Sequence, residues 1–286
     1  ETAKAVRDYL VIDMLSAVKP ELARGRKITV EEVLDHAAAR IDEAFRNQPA
    51  NEASIRATVG QVYFSLGRFD VAEDQMRQAE ALFMDLFGED HVETLRVRCQ
   101  LIHLLTSLGR FEEADGLSTD TLRRCRNVLG MDHELSLEVA FHYANVLESR
   151  WRMAEAAQLA AETLEGRRRL HGDQHSATLA SLDQWASLAK RDPGQRAELE
   201  ALLREMLNGA RQTLGENHPQ TLGIMTNLGS VLRDQRRFEE AEPLLRLAYE
   251  GLRTNLGEEH PTLVVAMRNW GLLLREMNRI DESAEI

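Results

Sequence analysis

A short stretch with the residue types of a metal or phosphate site recurs along the chain. The segment "LFGEDHVETL" at residues 86–95 offers a glycine, two acids, a histidine and a threonine, which could ligate a cation or surround an anion. Its glycine returns at intervals of 42, 42, 43 and 42 residues, at Gly88, Gly130, Gly172, Gly215 and Gly257. A fixed period of this length indicates an array of structural repeats.

The histidines of this stretch keep the same period, at His91, His133, His175, His218 and His260. Two ligands of one zinc ion lie within about 4 Å of each other, whereas equivalent positions in stacked repeats are at least one helix packing distance apart, about 8–10 Å. These histidines are therefore too far apart to share an ion, and we expect no metal here. The glycine is instead expected to end one helix, and the Thr or Ser after the histidine to lie in the opening turn of the next.

Each repeat contains two stretches with the apolar spacing of an amphipathic helix. In residues 219–257 the apolar positions of the first stretch are Leu222, Met225, Leu228, Val231 and Leu232, and those of the second are Phe238, Ala241, Leu244, Leu245, Ala248 and Leu252. The polar segment "DQRR" between them is short, so the two helices should be antiparallel neighbours. No strand-like alternation is visible, and the sequence predicts an all-α protein.

Composition excludes several classes of function. The 286 residues carry a net charge of −12, which argues against a general nucleic-acid or anionic-membrane surface. No run of about 18 apolar residues is present, so we expect no membrane insertion by this chain. Cys99 and Cys125 form no Cys-x-x-Cys motif and are expected to be small buried side chains in a reducing compartment. A soluble cytoplasmic protein is favoured, although a parent chain could be membrane-anchored.

The first fifty residues differ from the rest. Val6, Leu10, Met14 and Val18 follow one helix face, and Thr29 with Glu32 has the spacing of a capping box. We expect an N-terminal helical cap at residues 1–50, followed at residues 51–286 by about five complete repeats and a truncated sixth. Because the chain begins at Glu1 and stops inside a repeat, it is interpreted as a fragment of a longer protein.

Motifs of catalysis are missing from the sequence. It has no glycine-rich phosphate loop, no kinase Lys or His-Arg-Asp signature, and no Gly-x-Ser-x-Gly. The acid pairs, such as Glu112 with Glu113, open predicted helices, where negative charge suits the helix dipole. We therefore expect no enzyme activity and no cofactor.

The two-helix unit resembles the tetratricopeptide repeat. The resemblance is carried by "VGQVYFSLGRFDVAEDQM" from Val59 and "NLGSVLRDQRRFEEAEPLL" from Asn227, and the 42-residue form with "LGxxHPxTL" is most similar to the repeats of kinesin light chain. The small residue inside the first helix recurs at Gly60, Ala144, Ala186, Gly229 and Gly271, with Ile102 as the exception. The resemblance implies a right-handed superhelical solenoid in which the first helices line a concave groove.

Polar residues on the first helices are the candidate site. Carried over from the family by register, the groove would display Gln100, His103, His142, Asn145, Gln184, Asn227, Ser230, Arg233, Asn269 and Arg275. Amides and imidazoles can donate to and accept from an extended peptide backbone, and an arginine can bind a carboxylate through two parallel bonds. The alternative is that these residues are the solvated side of amphipathic helices.

The sequence therefore favours a protein-interaction module that binds a peptide or protein segment in the groove. Two alternatives stay open. The first fifty residues, placed just before the repeats, resemble the region after the kinase and membrane-anchor segments of bacterial serine/threonine kinases with tetratricopeptide C-termini, so the chain could be a sensory or substrate-recruiting region. The truncated last repeat could also support self-association, as in a self-assembly scaffold.

Overall fold

Every regular element in the described part of the chain is an α-helix. The computed structural model describes residues 29–256 and 261–284. In chain order the helices are α1 (Val30–Ala38), α2 (Ile41–Ala44), α3 (Pro49–Ser65), α4 (Phe69–Phe87), α5 (Val92–Ser107), α6 (Phe111–Val128), α7 (Glu134–Ser149), α8 (Met153–His171), α9 (Ser176–Ala189), α10 (Pro193–Thr213), α11 (Pro219–Asp234), α12 (Phe238–Leu256), α13 (Pro261–Glu276) and α14 (Ile280–Ala284). The chain divides into two compact units, Glu1–Arg152 and Met153–Ile286.

Helices joined by short loops pack in pairs, as the apolar spacing predicts. In the pair α11–α12, Leu222 and Met225 of the first helix are fully buried, and so are Ala241 and Leu245 of the second. Burial of a leucine-sized side chain stabilises a fold by about 1.5–3 kcal/mol. The predicted amphipathic helix pair is confirmed.

The link between repeats is closed by two hydrogen bonds. His91 precedes α5, and its Nδ1 atom accepts a hydrogen bond from the backbone N–H of Glu93 (3.3 Å). Thr94 Oγ1 donates to the carbonyl of Gly88 (2.9 Å), a residue in the left-handed region with φ of 84°. His133, His175 and His218 cap α7, α9 and α11 in the same way, and Ser136 and Thr221 repeat the hydroxyl bond. The stretch is thus a structural junction; Gly257 and His260 lie outside the described residues.

The junction before α9 is built differently. Thr178 Oγ1 donates to the carbonyl of Arg167 in α8 (3.3 Å). Arg167 is itself buried, and its guanidinium donates to the carbonyl of Ala177 (3.0 Å) and to Ser181 Oγ (2.8 Å). A side chain of the preceding helix therefore holds the start of α9.

A second periodic contact joins consecutive repeats within each unit. The arginine just before a second helix binds an acid 37 residues earlier in the chain, on the preceding second helix or, for Arg68, on α1. Arg110 lies 2.6 Å from Glu73 in the first unit, and Arg237 lies 2.8 Å from Glu200 in the second. The same pairing joins Arg68 to Glu31, Arg152 to Asp115 and Arg279 to Glu242. These partly exposed pairs are worth about 0–1 kcal/mol each, but they fix the stacking register.

The small residue of the first helix is required by close packing in only some repeats. A Cβ atom added to Gly229 would lie 2.5 Å from Leu245 Cγ, and one added to Gly60 would lie 2.8 Å from Met76 Cγ. At Gly271 the nearest atom would be Ser283 Oγ at 3.6 Å, which is ordinary van der Waals contact. The helix pair α11–α12 therefore approaches too closely for an alanine, whereas α13–α14 does not.

The segment before the repeats is helical where it is described. Thr29 Oγ1 accepts a hydrogen bond from the N–H of Glu32, and the Glu32 carboxylate accepts one from the N–H of Thr29, so the predicted capping box is confirmed. Tyr63 of α3 donates to Asp35 of α1 (2.6 Å). The predicted helix around residues 6–18 lies outside the described residues.

We expect Thr221→Val to lower the free energy of unfolding by about 1–2 kcal/mol, because it removes the buried donor to the Gly215 carbonyl. Thr226→Val is the matched control. Thr226 is also buried, but its hydroxyl only duplicates the bond of a helical carbonyl, that of Leu222. Urea unfolding of the two variants measures the difference, and equal losses would contradict this role of the junction.

Alanine at the two glycines should have opposite effects. Gly229→Ala forces its Cβ atom into fully buried Leu245 and should destabilise by about 1–3 kcal/mol. Gly271→Ala meets no close atom and should stabilise by up to about 1 kcal/mol through helix propensity. The melting temperatures of the two variants, compared with that of the parent chain, test this prediction. Stabilisation by both substitutions would contradict it and would show that α11 and α12 can move apart freely.

Candidate functional site

The first helices of the second unit form a groove. Its walls come from three first helices in succession, α9, α11 and α13, and it has a volume of about 320 Å³. Among its lining residues are Asp183, Lys190, Asn227, Ser230, Val265, Arg268 and Asn269. A second cavity of about 340 Å³ continues from it and shares Asp183, Gly223, Asn227 and Thr262. We call the two cavities together the α9–α11–α13 groove.

An amide–carboxylate pair lies inside this groove. Asn227 Nδ2 of α11 donates to Asp183 Oδ1 of α9 at 2.5 Å. Solvent reaches the Asp183 carboxylate, but the groove walls remove part of its hydration and raise its pKa above the ordinary value, while the bond from Asn227 acts in the opposite direction. The pair fixes the Asn227 amide, so that its Oδ1 atom faces away from Asp183 as an acceptor.

The neighbouring polar residues are more deeply buried. Ser230 is 5% exposed, and its Oγ atom has no hydrogen-bond partner among the described residues. Asn269 is 4% exposed, and its Oδ1 atom accepts a hydrogen bond from Arg233 (3.3 Å). Arg233 also lies 2.7 Å from Asp234 and 3.7 Å from Glu276. Its guanidinium is therefore engaged within the protein, which does not match the expectation that it could bind a ligand carboxylate.

The other two predicted residues of the second unit are not lining residues of the groove. Gln184 of α9 is buried next to Asp183, which is the residue that faces the groove. Arg275 of α13 is exposed near the end of its helix, beyond the lining positions. Asn227, Ser230 and Asn269 are thus the predicted residues that the groove brings together.

Three lining residues with charge were missed by the sequence analysis. Asp183 and Lys190 lie on one face of α9, together with Ala186 and Ser187, at helical spacing, and Arg268 lies on α13. Burial lowers the pKa of Lys190 below its ordinary value. From Asp183 to Lys190 these residues are spaced i, i+3, i+4 and i+7, so the sequence alone could have predicted that they share one face of the helix.

In the first unit the predicted residues lie on α5 and α7. Gln100, His103, His142 and Asn145 are all half-buried. The ring of His103 lies between those of Phe64 and His142, with centroid distances of 4.6 and 4.5 Å; it is tilted by 56° to Phe64 and stacked on His142. Burial lowers the pKa of the His103 imidazole below its ordinary value. Neighbouring rings in this group come from residues 39 positions apart in the sequence. The sequence separation of side chains that touch between first helices is therefore three residues, about one helical turn, shorter than the 42-residue repeat.

Within the described ranges, no helix combines the length and the apolar character needed to cross a membrane.

Solved structures with the same architecture are of low sequence identity. Nearly identical TPR-like repeats assigned to a kinesin light chain of Podosopora anserina are 19% identical, with a TM-score of 0.66 over 74% of this chain and 100% of that one. BtubC (BKLC) from P. vanneervenii is also 19% identical, with a TM-score of 0.65 over 88% of this chain and 94% of that one. A Rap protein complexed with Competence and Sporulation Factor is 12% identical, with a TM-score of 0.53 over 99% and 94%. No curated protein sequence matches the chain.

Family models for the tetratricopeptide repeat match most of the sequence. One model matches residues 51–127, 189–254 and 222–286, and a second matches residues 144–177. The matches agree with the observed helix pairs and with the all-α solenoid architecture that the resemblance implied. The chain belongs to the tetratricopeptide repeat family.

Proposed function

We propose that this chain is a protein-interaction module that binds an extended peptide segment in the α9–α11–α13 groove. The observation that carries the proposal is the set of fixed polar groups along the groove floor, on consecutive first helices. Asn227 is held by Asp183, and the hydroxyl of Ser230 is buried without a partner among the described residues. A buried polar atom without a partner costs about 1–3 kcal/mol, and a ligand that bonds to it recovers that free energy.

The groove matches the chemistry of a peptide backbone. Its polar groups comprise acceptors, such as Asn227 Oδ1, and groups that can donate, such as the Ser230 hydroxyl. Between them lie the apolar surfaces of Ala186, Val231 and Val265. Alternating apolar and polar positions suit an extended chain, whose side chains point in opposite directions at successive residues.

Charge favours a segment with a carboxylate. Lys190 and Arg268 line the groove, while Asp183, the one acid among its described lining residues, is bonded to Asn227. The groove is thus locally cationic in a chain whose net charge is −12. An acidic side chain or a terminal carboxylate would be attracted to this site and repelled by most of the remaining surface.

One solved structure of similar architecture is a complex. The Rap protein named above was crystallised as a complex with Competence and Sporulation Factor. This supports a binding role for the helix pairs of the present chain, whose ligand would be recognised by the polar residues of its own groove.

A charged side chain placed in the groove should block it. Peptides selected from a random display library on the intact chain provide the probe, and fluorescence anisotropy gives the affinity. Val265 lines the groove and is exposed, so Val265→Glu should weaken binding at least tenfold, about 1.4 kcal/mol, with stability changed by about 0.5 kcal/mol or less.

Val264→Glu is the matched control, since Val264 is exposed on the same helix and does not line the groove. The affinity of this control variant should stay within about twofold of the parent value, since a change at an exposed site outside the contact is close to neutral. Equal binding by Val265→Glu and Val264→Glu, or failure to select any peptide, would rule out the groove as the site.

The charge preference has its own test. At low ionic strength, Arg268→Glu should weaken the binding of an acidic selected peptide about tenfold, and this loss of affinity should become smaller as salt is added. Arg275→Glu, an equal charge change on the same helix outside the lining residues, should have a much smaller effect. A larger loss with Arg275→Glu would place the carboxylate at the end of α13 instead.

A further inference from the structure

Four chemically active side chains face each other across two first helices of the first unit. Cys99 and His103 are four residues apart on α5, and Glu138 and His142 are four residues apart on α7. This spacing puts each pair on one face of its helix. The helices are neighbours, and the Cys99 Sγ atom, a Glu138 carboxylate oxygen and a His142 ring nitrogen all lie within 4.8 Å of one another.

We propose that Cys99, Glu138 and His142 form a zinc site that links α5 to α7. Zinc bonds of about 2.0–2.3 Å in a tetrahedral arrangement hold the ligand atoms about 3.4–3.8 Å apart. Since the ligand atoms lie within 4.8 Å of one another, a contraction of at most about 1.4 Å is required, and we expect rotation of the side chains to supply it. Three protein ligands leave the fourth position for water.

The donor set selects the type of metal. A thiolate and an imidazole prefer zinc or cobalt to magnesium or calcium, which prefer oxygen ligands. Cys99 is 2% exposed, so burial opposes the charged thiolate form of its side chain. A divalent ion next to the Cys99 thiolate and the Glu138 carboxylate gives a neutral site, which removes the charge cost of burying the thiolate.

The surroundings fit a fixed site. The His142 ring is held by His103 at 4.5 Å on one side and by Phe141 at 5.5 Å, edge to face. His103 is stacked on His142, so it orients the imidazole in the present arrangement and is not counted as a ligand. The site bridges two successive repeats, and metal binding would tie their first helices together.

Cys99 and Glu138 are not equivalent positions of the repeat, so the helix packing distance that separates the junction histidines does not keep them apart. Equivalent positions lie 42 residues apart, whereas Cys99 and Glu138 are separated by 39. Side chains that reach across neighbouring helices meet at this offset, as in the stack of Phe64, His103 and His142. This zinc site would act independently of the α9–α11–α13 groove, which lies in the other unit.

Cobalt(II) titration of the reduced, chelator-treated full chain tests the proposal. We expect one cobalt ion per chain, a thiolate-to-cobalt charge-transfer band, and displacement by zinc. Since Cys99 and Cys125 are the two cysteines of the sequence, such a band comes from one of them. Cys99→Ser should abolish the band. Cys125→Ser, an equal change at the other buried cysteine, should keep it.

Two further variants keep the test decisive if Cys99→Ser folds poorly. Glu138 and His142 are half-buried, and Glu138→Gln and His142→Gln should each weaken cobalt and zinc binding at least tenfold, with circular dichroism unchanged. Zinc should raise the melting temperature of the parent chain and of Cys125→Ser, but not of His142→Gln. Absence of the band in the parent chain, its loss in folded Cys125→Ser, or parent-like affinity in both glutamine variants would overturn the proposal.

Discussion

The junction at the start of α5, α7 and α11 is the constraint on which the rest of the structure depends. A buried hydroxyl, such as that of Thr94 or Thr221, donates to the carbonyl of a glycine in the left-handed region, and a histidine caps the helix that follows. The glycine permits a reversal that other residues resist, and the two hydrogen bonds define the direction in which the next helix leaves. Since the junction recurs at nearly constant spacing, the first helices of a unit lie side by side.

Side-by-side first helices create the polar groove and also explain its rigidity. Within the second unit, Asp183 is bonded to Asn227 across one pair of helices, and Arg233 to Asn269 across the next. These hydrogen bonds occupy some of the polar atoms of the groove. They also hold the other polar atoms of the same side chains in fixed positions. A preorganised groove loses less conformational entropy when a ligand binds, so the same bonds that join repeats favour recognition.

Much of the fold could be predicted from the sequence, because helical spacing, junction glycines and the 42-residue period each have a local physical cause. The composition of the groove could not be predicted to the same degree. A helix turns about 100° per residue, so one position separates Asp183, which lines the groove, from Gln184, which is buried. Arg233 could not be matched with its internal partners Asn269 and Glu276 before α11 and α13 were placed together. The kinase-associated and self-assembly alternatives stay predictions.

Contacting residues on neighbouring first helices are separated in the sequence by an offset that differs from the repeat length. A candidate metal site formed by such residues is therefore not apparent from the repeat pattern. Side chains on a helix lean toward its N-terminus, and neighbouring helices pack with their residues interleaved, so the partner of a residue need not be its equivalent one repeat later. In the first unit the offset is 39, which joins Phe64 to His103 and His103 to His142. A search for ligands at the 42-residue period finds the junction histidines, of which His91, His133, His175 and His218 act as caps. A search at 39 pairs Cys99 with Glu138, and the helical spacing of four then brings in His142.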